Sequence, residues 1–364
     1  MIKTELCGKE ASRKEGEGDQ YDLSICIATK DRARAVDSML ERILRQQQGV
    51  CEVVIVDGGS TDDTPSVVAK WAREHRGIRY IRQEQPKGMD RDFDTAVECA
   101  SGKYCWLMPD DDVLKAGAIS AVTSALSADY SLVLVDYEFV DVDTQELVSA
   151  SSSKFSENRT YGPREMERMF REVGRHATYL GSIVIKRSIW LSRERTLYHG
   201  SYHLHTAVIF QKSLPGTTLV LAPAIVSHLV GGTHSWHDKV PEMVDHWPMF
   251  VESLAISNSA KREFAKLMSP TAIAVAIAFR GMDYMSPAAL RRWGRGNTRS
   301  VRQRLGALLA SLLPGRVANM ISMLYFSLRP RGTVEAISIL RLRKSRFYVG
   351  DWAALRRFRR ASPA

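Results

Sequence analysis

The feature of this sequence that most constrains its fold is a regular alternation, between Asp22 and Asp141, of short apolar runs and longer helix-like segments. The apolar runs are rich in β-branched residues and predict five strands, at 22–29, 51–57, 78–82, 103–108 and 131–140. The intervening segments are long enough for helices, at 33–47, 62–75, 88–100 and 115–127. Strands that alternate with helices in this way form right-handed βαβ units. We therefore predict an α/β fold with a doubly wound, mostly parallel sheet.

The alternation weakens after residue 149, and the chain can be divided on that basis. Coarser patterns predict two helices and two strands, at 163–173, 201–213, 181–187 and 218–230. The first twenty residues are charged and contain no apolar core of a signal peptide, which predicts a flexible tail and a cytoplasmic protein. The predicted organisation is a tail, one domain with two halves, and a helical basic C-terminal region, at 1–20, 21–240 (halves 21–141 and 150–240) and 241–364.

The positive charge is concentrated at the C-terminal end of the chain. From residue 291 onward there are 17 Lys and Arg residues against two acidic residues, whereas the net charge of the whole chain is +10. The two apolar segments of the helical C-terminal region, at 269–279 and 305–328, do not predict a membrane span, because the first is short and Pro314, Gly315 and Arg316 interrupt the second. Two interpretations stay open: solvated arginines on packed helices, or a peripheral face that binds the anionic surface of a membrane.

Polar, turn-forming clusters follow four of the predicted strands. They read TKDRAR, DGGSTDD, QEQPKGMDRD and PDDD. In an open α/β sheet, ligands bind beyond the carboxyl ends of the strands. We therefore predict one binding site assembled from these four loops.

The cluster after the second strand begins with Asp57, Gly58 and Gly59. The glycines allow the backbone to turn and to approach a ligand closely. A carboxylate at the end of a buried strand needs hydrogen-bond donors, and a nucleotide base or ribose hydroxyl can supply them. For residues 60–63 the alternative is a purely structural role as the cap of the next helix.

Three consecutive carboxylates, Asp110, Asp111 and Asp112, end the fourth predicted strand. Like charges this close raise each other's pKa, so the arrangement is costly unless a cation or several donors lie among them. Mg²⁺ or Mn²⁺ suits a short loop of carboxylates because it takes one or two of them and completes its shell with phosphate and water. The alternative is an acidic loop that caps the following helix.

The ordered set SICIATKDRA, VVIVDGGSTDDT and GMDRDFDTAVECASGKYCWLMPDDDVL resembles the family 2 nucleotide-sugar glycosyltransferases of the GT-A fold, over about residues 21 to 235. With GSIVIKRSIW and LVGGTHSW, it is similar to the branch that contains bacterial abequosyltransferases and other O-antigen enzymes. The resemblance implies a GT-A (Rossmann-like) fold, a nucleoside diphosphate sugar as donor and Mn²⁺ or Mg²⁺ as cofactor. It implies donor-site roles for Thr29, Lys30, Asp31, Arg32, Asp57, Gly58, Gly59, Asp90, Arg91 and Asp110, and metal-site roles for Asp110, Asp111 and Asp112.

Two departures from the family pattern concern Lys30, where relatives often have Asn, and the catalytic base. The acidic pair that supplies the base in many relatives has no counterpart in YHGSYHLHTAVIF. An imidazole titrates near neutral pH, so we predict His205 as the base, with His203 as its neighbour and a packed histidine as the alternative. His234 matches the region that often supplies a third metal ligand, and His228 and His237 compete for that role.

The sequence thus predicts a metal-dependent inverting glycosyltransferase, with His205 and Asp111 in catalysis. Its acceptor would be a saccharide, in particular a lipid-linked one, in O-antigen-like lipopolysaccharide synthesis at the inner face of the cell membrane. The alternative from another class is a noncatalytic nucleotide- or nucleic-acid-binding protein with a basic tail. Because acidic strand ends repel phosphate unless a metal intervenes, no nucleic-acid partner is expected. A nuclease or phosphatase that uses the same aspartates is a third interpretation.

Overall fold

A computed structural model describes residues 21–46, 51–231, 239–267, 273–284, 301–329 and 333–350. The predicted flexible tail, residues 1–20, lies outside this part of the chain. The chain divides into two compact units. The first comprises residues 1–139, 150–229 and 253–260, and the second comprises residues 140–149, 230–252 and 261–364.

The described strands belong to one sheet. They are β1 (Tyr21–Thr29), β2 (Cys51–Asp57), β3 (Ile78–Arg82), β4 (Gly102–Pro109), β5 (Val113–Leu114), β6 (Leu132–Asp141), β7 (Leu147–Ser149), β8 (Arg159–Tyr161), β9 (Ile183–Lys186) and β10 (Thr218–Val230). Their order is β3-β2-β1-β4-β9-β6-β10-β5, with β7 beside β6 and β8 beside β10.

The helices that follow these strands are α1 (Ala33–Gln46), α2 (Thr64–Glu74), α3 (Met89–Cys99), α4 (Ala118–Leu126), α5 (Met166–Val173), α6 (Arg187–Leu191) and α7 (Leu204–Phe210). The remaining described helices are α8 (Val240–Ser253), α9 (Asn258–Ala265), α10 (Ile273–Gly281), α11 (Val301–Leu312), α12 (Gly315–Ser327) and α13 (Thr333–Lys344). The predicted alternation of strands and helices up to residue 141 is therefore confirmed. Most of the observed boundaries differ from the predicted ones by one to three residues.

The sheet is mostly parallel, as predicted, because β3, β2, β1 and β4 are parallel neighbours. Strand β9 lies between β4 and β6 and is antiparallel to both. A short apolar strand from the later half of the domain thus separates two strands that are close in sequence, which sequence periodicity does not reveal.

Burial explains why these segments form the first unit. Strand β2 is buried along its whole length, as expected for a central strand that helices cover on both faces. Helix α1 buries Val36, Met39, Leu40 and Ile43, which lie on one face at helical spacing. These residues belong to one core that is continuous with β1, β2 and β4. The sheet is thereby rigid at the edge where the polar loops emerge.

The second unit is largely helical, as predicted for the C-terminal region. Helices α10, α12 and α13 share a small core that includes Ala276, Met282, Met323 and Leu342. Lys344 of α13 forms ion pairs with Asp141 and Asp143. Among the described helices, none combines the length and apolarity needed to cross a membrane.

Candidate functional site

The carboxyl ends of β1, β2 and β4 lie side by side. In the pairing register, Thr29 is opposite Asp57 and Ala28 is opposite Pro109. The Thr29 hydroxyl donates a hydrogen bond of 2.6 Å to Oδ2 of Asp110. The end of β1 and the loop after β4 are thus joined directly, as predicted from their polar clusters.

The loop after β1 is tied to the loop after β2 by backbone hydrogen bonds. Asp31 has a φ of +52°, which lies in the left-handed region that Asp tolerates better than most residues. Its N–H donates to Oγ of Ser60 at 2.8 Å, and its Oδ1 accepts the N–H of Thr61 at 2.6 Å. The N–H of Thr61 lowers the pKa of the exposed Asp31 carboxyl. Lys30 is exposed beside it.

Asp57 is fully buried, and the protein itself supplies its donors. Oδ1 accepts the N–H and the hydroxyl of Ser60 at 2.7 and 2.6 Å. Oδ2 accepts the hydroxyl of Tyr80 on β3, whose pKa burial and this carboxylate raise far above the usual range. A nucleotide is therefore not needed to satisfy Asp57, contrary to the reasoning from sequence. The sequence did not point to Tyr80, because it lies within strand β3 and not in one of the polar clusters that follow the strands.

The two positions after Asp57 favour glycine for different structural reasons. Gly59 has a φ of +81°, which strongly favours glycine. A Cβ at Gly58 would lie 3.2 Å from Oδ2 of Asp92, so the backbone passes very close to that carboxylate. The N–H of Gly58 also donates to the carbonyl of Thr29 at 2.9 Å.

The first turn of α3 contributes two buried carboxylates. Asp90 accepts the N–H of Tyr202 at 2.8 Å, and burial raises its pKa to about 6. Asp92 accepts the side-chain amide of Gln83 at 2.7 Å, and burial raises its pKa to about 6 as well. Arg91 is exposed. Asp90 thus holds a loop of the later half, whereas Asp92, which the sequence reasoning did not single out, borders the Asp57 loop.

The acidic motif is divided among three environments. Asp110 and Asp112 are almost fully buried, whereas the Asp111 side chain keeps 27% of its accessible surface. Nη1 of Arg32 lies 2.8 Å from Oδ2 of Asp111 and 3.7 Å from Oδ1 of Asp110. Burial, followed by the charge of Asp111, raises the pKa of Asp110 to about 7. A guanidinium group therefore provides the cation that three adjacent carboxylates require.

Asp112 faces the later half of the domain. Its Oδ2 accepts the hydroxyl of Tyr179, and its Oδ1 lies 2.9 Å from Nδ1 of His228 and 3.0 Å from the N–H of Leu229. The ring centroids of Tyr179 and His228 are 4.5 Å apart with the rings tilted by 46°, and the Tyr137 ring packs on Tyr179 at a centroid distance of 4.2 Å. Of the three histidines considered for a metal role, His228 is thus in contact with the acidic motif, while His234 and His237 lie outside the described residues.

The structure does not support the prediction that His205 is the catalytic base. Its Nε2 lies 2.9 Å from the carbonyl oxygen of Thr178, and its Nδ1 is buried without a hydrogen-bond partner. Burial lowers the pKa of this imidazole to about 4. An acceptor hydroxyl therefore has no route to either nitrogen. His203 is buried as well.

The carboxylate oxygens of residues 110–112 are the type of ligand that Mg²⁺ and Mn²⁺ prefer. Asp111 reaches solvent, whereas Asp110 and Asp112 already accept hydrogen bonds from Thr29 and Tyr179. Within the described residues, no group of three or more His, Cys, Asp and Glu side chains is arranged to hold a metal ion. This pattern suits an ion that takes one protein carboxylate and completes its shell with phosphate and water.

A mostly parallel sheet whose strand ends meet at an acidic motif, beside a glycine-containing turn, agrees with the predicted GT-A fold. The particular family follows from comparison with known proteins. Residues 24–192 match the family described as Glycosyl transferase family 2. This match covers 169 of the 364 residues, so the likeness to family 2 glycosyltransferases holds for that part of the chain.

Curated relatives include two bacterial sugar transferases. The abequosyltransferase RfbV of Salmonella typhimurium is 25% identical over 178 residues, which cover 46% of this chain and 54% of RfbV. The GalNAc(5)-diNAcBac-PP-undecaprenol beta-1,3-glucosyltransferase of Campylobacter jejuni is 28% identical over 110 residues, which cover 30% of this chain and 36% of that protein. The chain thus spans about half or less of the length of these relatives.

Among solved structures, residues 1–349 of S. aureus TarS superimpose with a TM-score of 0.53. The match covers 85% of this chain and 93% of that one at 13% sequence identity. The complex of the same fragment with UDP gives a TM-score of 0.51 at 14% identity and covers 89% of both chains. At such identities the likeness shows the fold, and the predicted GT-A fold is confirmed.

Proposed function

We propose that this protein is a metal-dependent inverting glycosyltransferase that transfers a sugar from a nucleoside diphosphate donor to a saccharide acceptor. One observation carries the proposal: within the part of the chain that matches family 2, hydrogen bonds join the loops after β1, β2 and β4 into one polar site around Asp57 and Asp110. Such a position beyond the strand ends is where open α/β sheets bind nucleotides.

The nucleotide would lie over the loops that contain Lys30, Asp57 and Gly58. Oδ2 of Asp57 has a further lone pair beside the one that accepts the Tyr80 hydroxyl, so this oxygen can accept a base N–H while Oδ1 keeps Ser60. The solved TarS complexes contain UDP and UDP-GlcNAc, which supports a nucleotide-sugar donor here. Lys30 is exposed and supplies positive charge toward a diphosphate.

Asp111 is the aspartate that we assign to the metal, because its side chain is the most exposed of the three. A bound divalent ion would supply positive charge that stabilises the departing diphosphate. Arg32 would leave Asp111 when the donor binds and pair with a phosphate instead, since guanidinium groups suit both carboxylate and phosphate. Asp110 keeps its hydrogen bond to Thr29 and orients the loop.

The acceptor would bind on the later half of the domain, beside Tyr179 and His228. Aromatic rings of this kind can pack on the apolar faces of a sugar while their polar atoms accept or donate hydrogen bonds. RfbV is named an abequosyltransferase, and the name of the Campylobacter relative contains an undecaprenol diphosphate acceptor. We therefore propose a lipid-linked saccharide acceptor, O-antigen-like polysaccharide synthesis, and a location at the cytoplasmic face of the membrane.

The test is calorimetric titration of UDP, GDP, CDP and dTDP into the full chain, with and without Mn²⁺. The variants are Asp111→Asn and, as a matched control, Glu41→Gln on the exposed surface of α1. We expect metal-dependent binding of one nucleotide, lost in Asp111→Asn and unchanged in Glu41→Gln. No nucleotide binding under any condition would refute the proposal.

A transfer assay then separates catalysis from binding. Release of the nucleotide from its sugar donor should depend on an added lipid-linked saccharide acceptor. Binding without turnover would favour the noncatalytic alternative, and release of inorganic phosphate without sugar transfer would favour a phosphatase. His205→Gln, which keeps a donor for the Thr178 carbonyl, should turn over like the wild type. A complete loss of kcat in that variant would restore His205 as the base.

A further inference from the structure

Helices α11 and α12 of the second unit expose their large apolar side chains. The exposed set consists of Leu305, Leu308, Leu309, Leu312, Val317, Ile321, Leu324 and Leu328, and we call it the apolar face. Exposure ranges from 39% at Val317 to 71% at Leu312. On each helix these residues recur at spacings of three and four, so they lie on one side of it. Soluble proteins rarely expose contiguous apolar surface of this kind.

The opposite sides of the same helices are buried and carry mainly small or polar residues. Helix α11 buries Ala310 and Ser311, and α12 buries Gly315, Ala318, Asn319 and Ser322 together with Met323. Both helices contact α10. The leucines of the two helices, with Val317 and Ile321, are therefore exposed, whereas the large apolar residues of an ordinary surface helix face inward.

Specific contacts hold the helices in this orientation. The Asn319 side-chain amide donates to the carbonyl oxygens of Gly281 and Leu342 at 3.0 and 2.9 Å. A Cβ at Gly281 would lie only 2.8 Å from Cα of Asn319, so α10 and α12 approach too closely for large side chains between them. The apolar face consequently points away from α10.

The sequence segment that contains the apolar face carries charge of one sign. Between residues 284 and 334 the chain has nine arginines and no Asp, Glu or Lys. Arg316 is exposed in the first turn of α12, and Arg329 is exposed two residues after the end of the same helix. A second copy of this chain would bring like charges together, whereas an anionic lipid surface offers the opposite charge and an apolar interior.

From this geometry we infer that α11 and α12 bind the surface of an anionic membrane, with the apolar face inserted among the lipid chains and the arginines at the headgroups. The purpose of this contact rests on the proposed function, because a lipid-linked acceptor is presented at that surface. The helices would lie in the plane of the interface, since no described helix is suited to span a bilayer.

The test measures partitioning of the full chain onto vesicles by flotation. Vesicles of phosphatidylcholine with one quarter phosphatidylglycerol are compared with vesicles of phosphatidylcholine alone. The variant Leu309→Asn/Leu312→Asn/Leu324→Asn removes three exposed side chains of the face. Its matched control is Leu147→Asn/Leu197→Asn, which changes leucines that are equally exposed elsewhere.

We expect the wild type to float with the anionic vesicles and the triple variant to bind at least about 100-fold more weakly, since an inserted leucine is worth roughly a tenfold step in partitioning. The control should stay within about twofold. Arg316→Gln/Arg329→Gln should weaken binding to anionic vesicles by about tenfold or more and leave binding to neutral vesicles unchanged, because each arginine near the surface adds attraction.

Two outcomes would overturn the inference. One is equal vesicle binding by the wild type and the triple variant. The other is no vesicle binding together with a concentration-dependent dimer, seen by light scattering, that the triple variant abolishes. Nucleotide titration of the same variants distinguishes the membrane-binding inference from the proposed glycosyltransferase function. A variant that loses vesicle binding but keeps its UDP affinity tests only the apolar face.

Discussion

Asp90 offers the sharpest test of how the two halves of the domain are held together. Its carboxyl is buried at the start of α3, accepts the N–H of Tyr202 and has a pKa raised from 3.8 to about 6 by burial. The folded protein thus binds this proton more tightly than the unfolded chain does. The corresponding stability is fully present below pH 3.8 and is lost as the pH rises through 6.

The size of the effect follows from the shift. About two pKa units correspond to roughly 3 kcal/mol, of which about 1.4 kcal/mol is lost between pH 5 and pH 8. Asp90→Asn does not titrate. The replacement of a carboxylate oxygen by an amide group also changes the stability, but by the same amount at every pH. The titration of Asp90 is therefore reported by how the difference in free energy of unfolding between the variant and the wild type changes with pH.

The assay is urea unfolding of the wild type and Asp90→Asn at several pH values from 5 to 8, in the presence of a chelator. The stability of the variant relative to the wild type should rise by about 1.4 kcal/mol across this range. Glu41→Gln, on the exposed surface, should show no such trend. If the free energies of unfolding of the wild type and Asp90→Asn change with pH in the same way, the raised pKa of the buried Asp90 carboxyl is refuted. If Asp90 holds the loop that contains Tyr202 and does not bind the nucleotide sugar, the nucleotide affinity of Asp90→Asn should differ from that of the wild type by less than about threefold.

Three further substitutions test the packing of the site. Asp94 on α3 accepts hydrogen bonds from the Arg195 guanidinium at 2.6 Å and from the buried Trp190 indole at 2.9 Å. Asp94→Ala should lower the free energy of unfolding in urea by about 3 kcal/mol, since both donors lose this acceptor and Arg195 keeps Glu98; a loss below 1 kcal/mol would contradict this. Gly59→Ala should cost about 1 kcal/mol or more because φ is +81°, and it should weaken nucleotide binding in calorimetry, which equal affinity would disprove. Tyr179→Phe leaves Asp112 without one donor and should cost about 1–3 kcal/mol, while an unchanged melting temperature would argue against that contact.

The sequence by itself determined the order of strands and helices and the edge of the sheet where the site lies. Apolar periodicity is a local property, and parallel strands connected by helices bring their carboxyl ends to one side. The loops that contain Thr29, Asp57 and Asp110 could therefore be predicted to meet, and hydrogen bonds between them bear this out.

Only the tertiary structure decided which partner each polar group has. Arg32 forms an ion pair with Asp111, the Tyr80 hydroxyl donates a hydrogen bond to Asp57, and the Thr178 carbonyl oxygen lies within hydrogen-bond distance of His205. These partners lie on other strands and loops, and no local pattern encodes their distances. The insertion of β9 between β4 and β6 and the outward apolar face of α11 and α12 have the same origin, because both depend on packing between segments far apart in the chain.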